Sequence, residues 1–416
     1  MNNTTNMSDE TSPSFSRNLH FNLLYNSTFR AAVLEALKLL EQQNLDPIEQ
    51  NEMPARKRPY KPPFVYQKTG FQFANISFDN QIKELRFTMS ELERLSKLLF
   101  NEEQFKLWFS KSRLKVDPTT ALAIVCSRLA KPSRLTDFCN VTGHSKSWVG
   151  EVFNTTIRYL FARFERLLYW DYIRLTPEKL ASFAKVIEGS GTERSNIFGF
   201  IDGTSREICR PTPNVINQQE VYNEHKKCHC LVYQGITTPD GLLVHLYGPL
   251  SGNTHVMKVY LQSNIAQVIR QMAKAPDGTQ LKIYGDKDYA HISDDVMEAQ
   301  IMKPREENLT DAQFFVNRII SGERTCIEWS WGQITQFFSY LSCSRNQQLG
   351  TSLIGCQFWV SALLTNCLLC IHGKSKASNK FQSDLPTVEE YLASVDQLNE
   401  NYKFDEFLIS NYMEKN

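Results

Sequence analysis

At 416 residues the chain exceeds the size over which one hydrophobic core keeps growing, which predicts two or more lobes around one principal domain. Its 46 basic and 45 acidic side chains cancel, so bulk charge singles out no partner, and any affinity for nucleic acid must come from local patches. Ten cysteines without a regular disulfide spacing, and a polar opening "MNNTTNMSDETSPSFSRN" lacking a charged and apolar leader, lead us to expect a reducing, intracellular setting.

Residues 1–26 are rich in Asn, Ser and Thr and are expected to be disordered. Residues 27–50 hold a short helix, with Ser27 or Thr28 as N-cap and an apolar stripe through Val33, Leu37 and Leu40. Residues 51–87 form a basic, proline-containing linker, in which Arg56, Lys57 and Arg58 read either as a nuclear import signal or phosphate-binding patch, or as solvated linker charge. From 88 to 190 the apolar positions recur at helical spacing. Within that region the chain breaks at Lys131-Pro132 and at Thr142-Gly143, leaving helices of about 10, 8 and 20 residues that resemble a helix-turn-helix. Arg128, Lys131, Arg134 and Lys146, beside Trp148, would then supply phosphate contacts; the competing reading is an ordinary helical bundle with solvated basic residues.

Residues 191–375 have a different texture. "NIFGFIDGTSREICRP" is an apolar run, Ile197 to Ile201, that stops on Asp202 as a strand ends. "HKKCHCLVYQGITTPDGLLVHLYGPLSG" is a hairpin turning at its "PDG", "MKVYLQSNIAQVIRQM" a helix, and "QLKIYGDKDYA" a strand that ends on Asp286. Strand, hairpin, helix, strand is the order of a ribonuclease-H-like core. The expected fold class is therefore α/β: an RNase-H-like mixed sheet flanked by helices and preceded by the all-helical region with its helix-turn-helix-like segment. After a further helix, "TDAQFFVNRIISG", the residues Ile327, Trp331, Ile334, Phe338 and Leu341 mark the buried face of another, with Glu328 one position off that stripe. Residues 351–371 are apolar and long enough to cross a bilayer, but Gln357, Ser361, Thr365 and Asn366 favour a buried helix and no membrane. The "CLLCIH" inside it, with Cys367, Cys370 and His372, has no second ligand pair at zinc-finger spacing. Residues 376–416 close the chain as a tail or helix.

Asp202, Asp286 and Glu328 are thus expected at one sheet edge, with Asp288 as an alternative second acid, since in a strand it would point to the same side as Asp286. Three converging carboxylates repel one another and take up protons unless a cation lies between them. With Mg2+ or Mn2+ they form an oxygen-ligand site suited to in-line displacement at phosphorus. Taken singly, each acid reads equally as a turn residue or a surface charge.

At these residues the chain resembles the PIF/Harbinger-like transposases, DDE endonucleases of the plant-transposon type, and the cellular proteins derived from them. The resemblance rests on "ALAIVCSRLAKPSR", "FIDGT", "HKKCHCLVYQGITTPDGLL", "GPLSGNTH", "YGDKDYA", "NRIISGERTCIEWSWGQI" and "ALLTNCLLCIHG", co-linear over about residues 117–375. It implies a catalytic and metal-binding triad of Asp202, Asp286 and Glu328, a divalent cation (Mg2+ or Mn2+), and DNA as substrate, cleaved and joined at transposon ends. It also implies a nuclear location, a Myb-like partner protein and room for self-association. Arg324 matches the family's arginine one helical turn before the glutamate, placed to pair with it or to hold a phosphate. Two positions depart from the pattern. Val256 stands where the family usually has an aspartate counted as a further metal ligand, and Gln333 and Thr335 stand where a lysine is common. Two functions follow: a metal-dependent DNA endonuclease or transposase, or a domesticated descendant that keeps the fold and binding but cleaves poorly or not at all.

Overall fold

The computed structural model describes residues 77–109, 114–190, 195–212, 218–303 and 308–400. The expected disordered start, the 27–50 helix and the basic cluster Arg56, Lys57 and Arg58 lie outside them.

The helical region begins with α1 (Phe78–Leu85), inside the stretch expected to be linker, followed by α2 (Met89–Leu99) and α3 (Glu102–Trp108). A capping box made by Thr88 and Glu91 starts α2 and satisfies its first free N–H groups. Next come α4 (Pro118–Ala130), α5 (Leu135–Thr142) and α6 (Lys146–Tyr169). Each break has a local cause. Asp117 caps α4 with Pro118 in its first turn, Gly143 closes α5 in the left-handed conformation, and Ser145 caps α6. The helix α6 does not lie on the surface as a reading helix would over its length; from Val149 onward it packs against α4 and the sheet side of the molecule. Its carbonyl at Tyr169 meets Nδ1 of the buried His245 at 2.8 Å, tying it to the sheet. A further helix, α7 (Pro177–Gly189), leads into the sheet and packs on its first strand.

The strands are β1 (Ile197–Glu207), β2 (Tyr222–Asn223), β3 (Cys228–Thr237), β4 (Leu243–Ser251), β5 (Lys282–Gly285) and β6 (Met297–Ala299). β1, β3 and β4 run antiparallel in series, β5 joins β1 in parallel, β6 joins β5 in parallel, and β2 extends the start of β3. The expected hairpin is β3–β4, turning at Gly241 with φ of +87°, while the Asp240 carboxylate accepts from the Thr238 hydroxyl and the Leu242 N–H.

Three expectations about element boundaries change. β1 runs on to Glu207, so Asp202 lies within the strand; what ends there is its burial, because the short β5 has already turned away. The expected helix over "MKVYLQSNIAQVIRQM" is two, α8 (Val256–Ser263) and α9 (Ile265–Met272), broken at Asn264, which takes the left-handed conformation that Asn tolerates. The two helices expected around Gly322 are instead one, α10 (Asp311–Phe337), in which this glycine sits on the exposed face while Asn317, Ile320, Glu323 and Ile327 on either side of it are buried. The stripe Ile327, Trp331 and Ile334 is buried as expected, whereas Phe338 and Leu341 are buried just beyond the helix end.

α11 (Ile354–His372) is the one helix among the described residues long and apolar enough to cross a membrane, and here it is a core helix between α6, α10 and β4. Its polar side chains are used inside the core. Asn366 accepts from the Leu243 N–H at 3.2 Å and donates to the Leu243 carbonyl at 2.9 Å, splinting the start of β4. Cys367 and Cys370 are buried. α12 (Lys376–Phe381), α13 (Val388–Leu392) and α14 (Val395–Glu400) fold back on the body, so that Phe381 stacks on Phe200 of β1 and the Tyr391 hydroxyl receives a bond from Asn366. One contiguous apolar core runs from Leu85 through the sheet to Leu398.

Replacing Asn366 with Leu keeps side-chain volume but strands both backbone groups of Leu243 in the core. We expect a loss of about 1–3 kcal/mol in a urea unfolding titration; an unchanged midpoint would show that β4 does not depend on this splint.

Candidate active site

The geometry starts with the parallel register of β1 and β5. Phe200 pairs with Tyr284, so Asp202 and Asp286, each two residues further on, come out side by side where the pairing has ended. The chain after β5 turns into a short 3-10 segment, Lys287–Tyr289, whose N-cap is Asp286; the Asp288 N–H donates to its carboxylate at 2.9 Å. The same turn takes Asp288 off the strand and out to solvent, so the alternation argument that made it the alternative second acid does not apply.

Glu328 arrives from α10. On β3, Gly235 is the residue opposite Asp202. A β-carbon there would lie 2.5 Å from the edge of the Trp331 ring, so the missing side chain is what lets α10 settle against the sheet. With Trp331 seated, the preceding turns of α10 carry Arg324 and Glu328 over Asp202. The Arg324 guanidinium joins the two acids, 3.4 Å from Asp202 and 2.7 Å from Glu328.

Electrostatics agree with this convergence. Burial, aided by the nearby Asp286 and Glu328 carboxylates, pushes the Asp202 carboxyl from 3.8 up to about 6 despite the opposing pull of Arg324. Asp286 is likewise raised, mainly by burial. Beneath them the fully buried Tyr289 has its hydroxyl driven well above its ordinary range, first by burial and then by Asp202 and Asp286. Its ring occupies the place a side chain at Gly285 would need. The sequence reading did not single out Tyr289; its only signal was an aromatic residue three positions after Asp286.

Among the described residues no group of three or more His, Cys, Asp or Glu side chains is gathered closely enough to hold a metal ion with the side chains as they stand. The cation between Asp202 and Glu328 is Arg324. The donor chemistry nonetheless fits a hard divalent ion: the available atoms are carboxylate oxygens, and the raised pKa of Asp202 marks a group short of positive charge. Val256 begins α8, and its methyl group would lie 3.5 Å from a β-carbon at Gly203, the residue after Asp202. Position 256 therefore adjoins the acids, and the side chain it offers them is apolar.

Of the basic residues expected to touch DNA, the described ones have different surroundings, Arg324 lying with the acids. Arg128 is buried, donating to the Ser133 carbonyl with its guanidinium 4.8 Å from the Tyr340 ring, so it is spent on packing the end of α4. Lys131 is held in an ion pair by Glu84. Arg134 and Lys146 are exposed.

Two outcomes check this geometry. Gly235→Ala should destabilise the protein by about 1–3 kcal/mol in thermal unfolding, since the new methyl meets Trp331 and Leu243 below contact distance. The second concerns pH. With the native Asp202 pKa raised from 3.8 to about 6, the folded protein holds more proton than the unfolded chain between those values. The contribution of Asp202 to stability is thus present below about pH 4 and lost as pH rises through about 6. In EDTA, Asp202→Asn should be the more stable protein at pH 7.5, by about 1–3 kcal/mol, and the gap should close on acidification. A gap that widens towards pH 4 would contradict the burial argument.

Residues 201–370 match the family model for the DDE superfamily endonuclease, a stretch that opens one residue before Asp202 and includes Asp286, Arg324 and Glu328. No curated protein and no solved structure gives a match. The match covers less than half of the chain; it supports a DDE transposase-type family, and the curled mixed sheet with its flanking helices is consistent with a DDE nuclease fold.

Proposed function

We propose that the protein is a metal-dependent DNA endonuclease of the PIF/Harbinger transposase type, with an RNase-H-like core and with Asp202, Asp286 and Glu328 as its metal-binding triad. The observation that supports this reading is that Asp286 emerges beside Asp202 from the parallel β1–β5 register while Arg324 links Asp202 to Glu328 of α10, inside the stretch similar to DDE endonucleases. Bound Mg2+ or Mn2+ would activate the attacking oxygen and stabilise the leaving one in a displacement at phosphorus. The chain's own part is to hold the ions and aim the phosphate. Asp202 would supply oxygens from within β1, Asp286 from just after β5, and Glu328 from a half-exposed helix face. Arg324, once a cation relieves it of Asp202, would turn the freed side of its guanidinium to a phosphate oxygen while Glu328 holds the other. Tyr289 is packed against Gly285, beside Asp286. A nuclear location, a Myb-like partner and self-association go with this reading, with the cluster at Arg56, Lys57 and Arg58 as the candidate import signal.

Val256 favours a second reading, a transposase-derived protein that binds DNA and cleaves it poorly. An apolar side chain beside Gly203 supplies no oxygen to an ion, and fewer carboxylates mean weaker hold on a hard cation.

The test is nicking of supercoiled DNA with Mg2+ or Mn2+. Endonuclease function predicts activity that Asp202→Ala, Asp286→Ala and Glu328→Ala each abolish, while Val256→Asp raises cleavage or metal affinity. Cleavage by the wild type that Asp202→Ala retains would overturn the triad, and a wild type inactive until Val256→Asp is made would establish the second reading. Metal binding can also be followed without activity: saturating Mn2+ should stabilise the wild type by about 2–4 kcal/mol and leave Asp202→Asn unmoved.

A further inference from the structure

Next to the acids, on the side of Gly203, Val256 and Asp288, lies a cavity of about 1250 Å³. It is bounded by the end of β1, the segment around β2, the start of β3 and the loop into α8. That volume exceeds the roughly 300–1,000 Å³ of pockets that enclose a small ligand, and charged side chains stand among the apolar surface of its wall. Arg210, Lys226 and Lys287 bring three cations to its wall, against Glu224 and Asp288. Lys226 and Lys287 are exposed, and neither is held in an ion pair among the described residues. The same wall carries aromatic rings. Tyr222 and His229 meet edge to face across the β2–β3 pairing, with centroids 5.2 Å apart and planes at 63°.

We propose that this cavity binds a short unpaired stretch of DNA strand next to the phosphate presented to Asp202, with Lys226 and Lys287 on the backbone and Tyr222 and His229 as a base-stacking platform. The proposal rests on the nuclease reading above and names the substrate form that the site takes. Cations and aromatic rings together in a concave wall suit a single strand, whose bases are free to stack, whereas a duplex keeps its bases paired inside. The position of the cavity supports the same assignment. Gly203, the residue following Asp202, and Lys287, the residue following Asp286, both line it, so a strand lying in it passes beside the acids.

The experiment is fluorescence anisotropy of a labelled dodecanucleotide on the full chain in EDTA, where no cleavage intervenes. The double variant Lys226→Glu/Lys287→Glu should weaken single-strand binding by about tenfold or more. It should also flatten the log–log salt slope by about 0.7 for each phosphate that is no longer neutralised. Tyr222→Ala should weaken binding while leaving the slope as it is, and Lys185→Glu, on the exposed face of α7, should change neither. Single-strand affinity that survives the double charge reversal overturns the proposal. So does polyglutamate competing as well as the oligonucleotide, which would make the cavity a general anion patch, and so does loss of duplex binding alone. The nicking assay separates this from the function itself. Cleavage lost in Asp202→Ala with binding untouched by the cavity variants sinks the cavity and keeps the nuclease, whereas binding lost in the cavity variants without any metal-dependent cleavage does the reverse.

Discussion

The candidate site depends on how closely a helix can lie on a sheet. Trp331 of α10 occupies the space that a side chain at position 235 would take, and Gly235 is the cross-strand partner of Asp202. A packing contact and a chemical one are thereby coupled: the absence of one β-carbon sets the height of α10, and that height decides whether Arg324 and Glu328 can reach the strand. The helix is held near both ends of its buried half. Arg86 donates at 2.6 Å to the Phe337 carbonyl at its C-terminus, where the helix dipole favours a cation. Lys380 donates at 2.7 Å to the Gly322 carbonyl while pairing with Glu323. The segment between these anchors has little freedom to withdraw.

What this rigidity assembles is electrostatically uneasy. A carboxyl pushed up to about 6 by burial and by its acidic neighbours is less stable in the fold than it would be in water. Arg324 offsets part of that, sharing one guanidinium between Asp202 and Glu328. An arrangement in which packing forces like charges together and one side chain compensates them is characteristic of sites kept for chemistry at some expense of stability. The partner of Arg324 on the strand is less well satisfied than its partner on the helix, judging by 3.4 Å against 2.7 Å, so Asp202 is where a stronger cation has most to gain.

The shortness of β5 matters for the same region. Four residues form this strand beside β1 and then the chain turns at Asp286, which leaves the second half of β1 paired, among the described strands, with β3 alone. That open flank is where the acids emerge and where the neighbouring cavity begins. Val256 stands on its rim. In a site otherwise made of charged and polar groups, its methyl groups pack towards Gly203 and the core, which is a structural gain at the position where the resembling family usually has a ligand.

Much of this was legible in the residues. Alternation and apolar runs marked β1, the β3–β4 hairpin and β5; the "PDG" turn and the breaks at Pro132 and Gly143 are local signals that hold whatever surrounds them. The buried stripe of α10 and the burial of α11 follow from periodicity and polarity in the same way. The three acids could be picked out because each sits where an apolar pattern stops or slips. Other features had no local signature. Whether Gly322 ends a helix or rides within one, whether Asn264 breaks one, and whether Arg128 faces solvent or a tyrosine ring are decided by what packs on them from far along the chain. By itself, then, the sequence determined the kinds of element, their order and the acids they carry, because those depend on neighbours within a few residues. Only the tertiary structure decided that Asp202 meets Asp286 and Arg324, that Tyr289 lies beneath them and that Val256 stands beside them, because those distances are set by contacts such as Gly235 with Trp331, whose fit is a property of two surfaces and of neither segment alone.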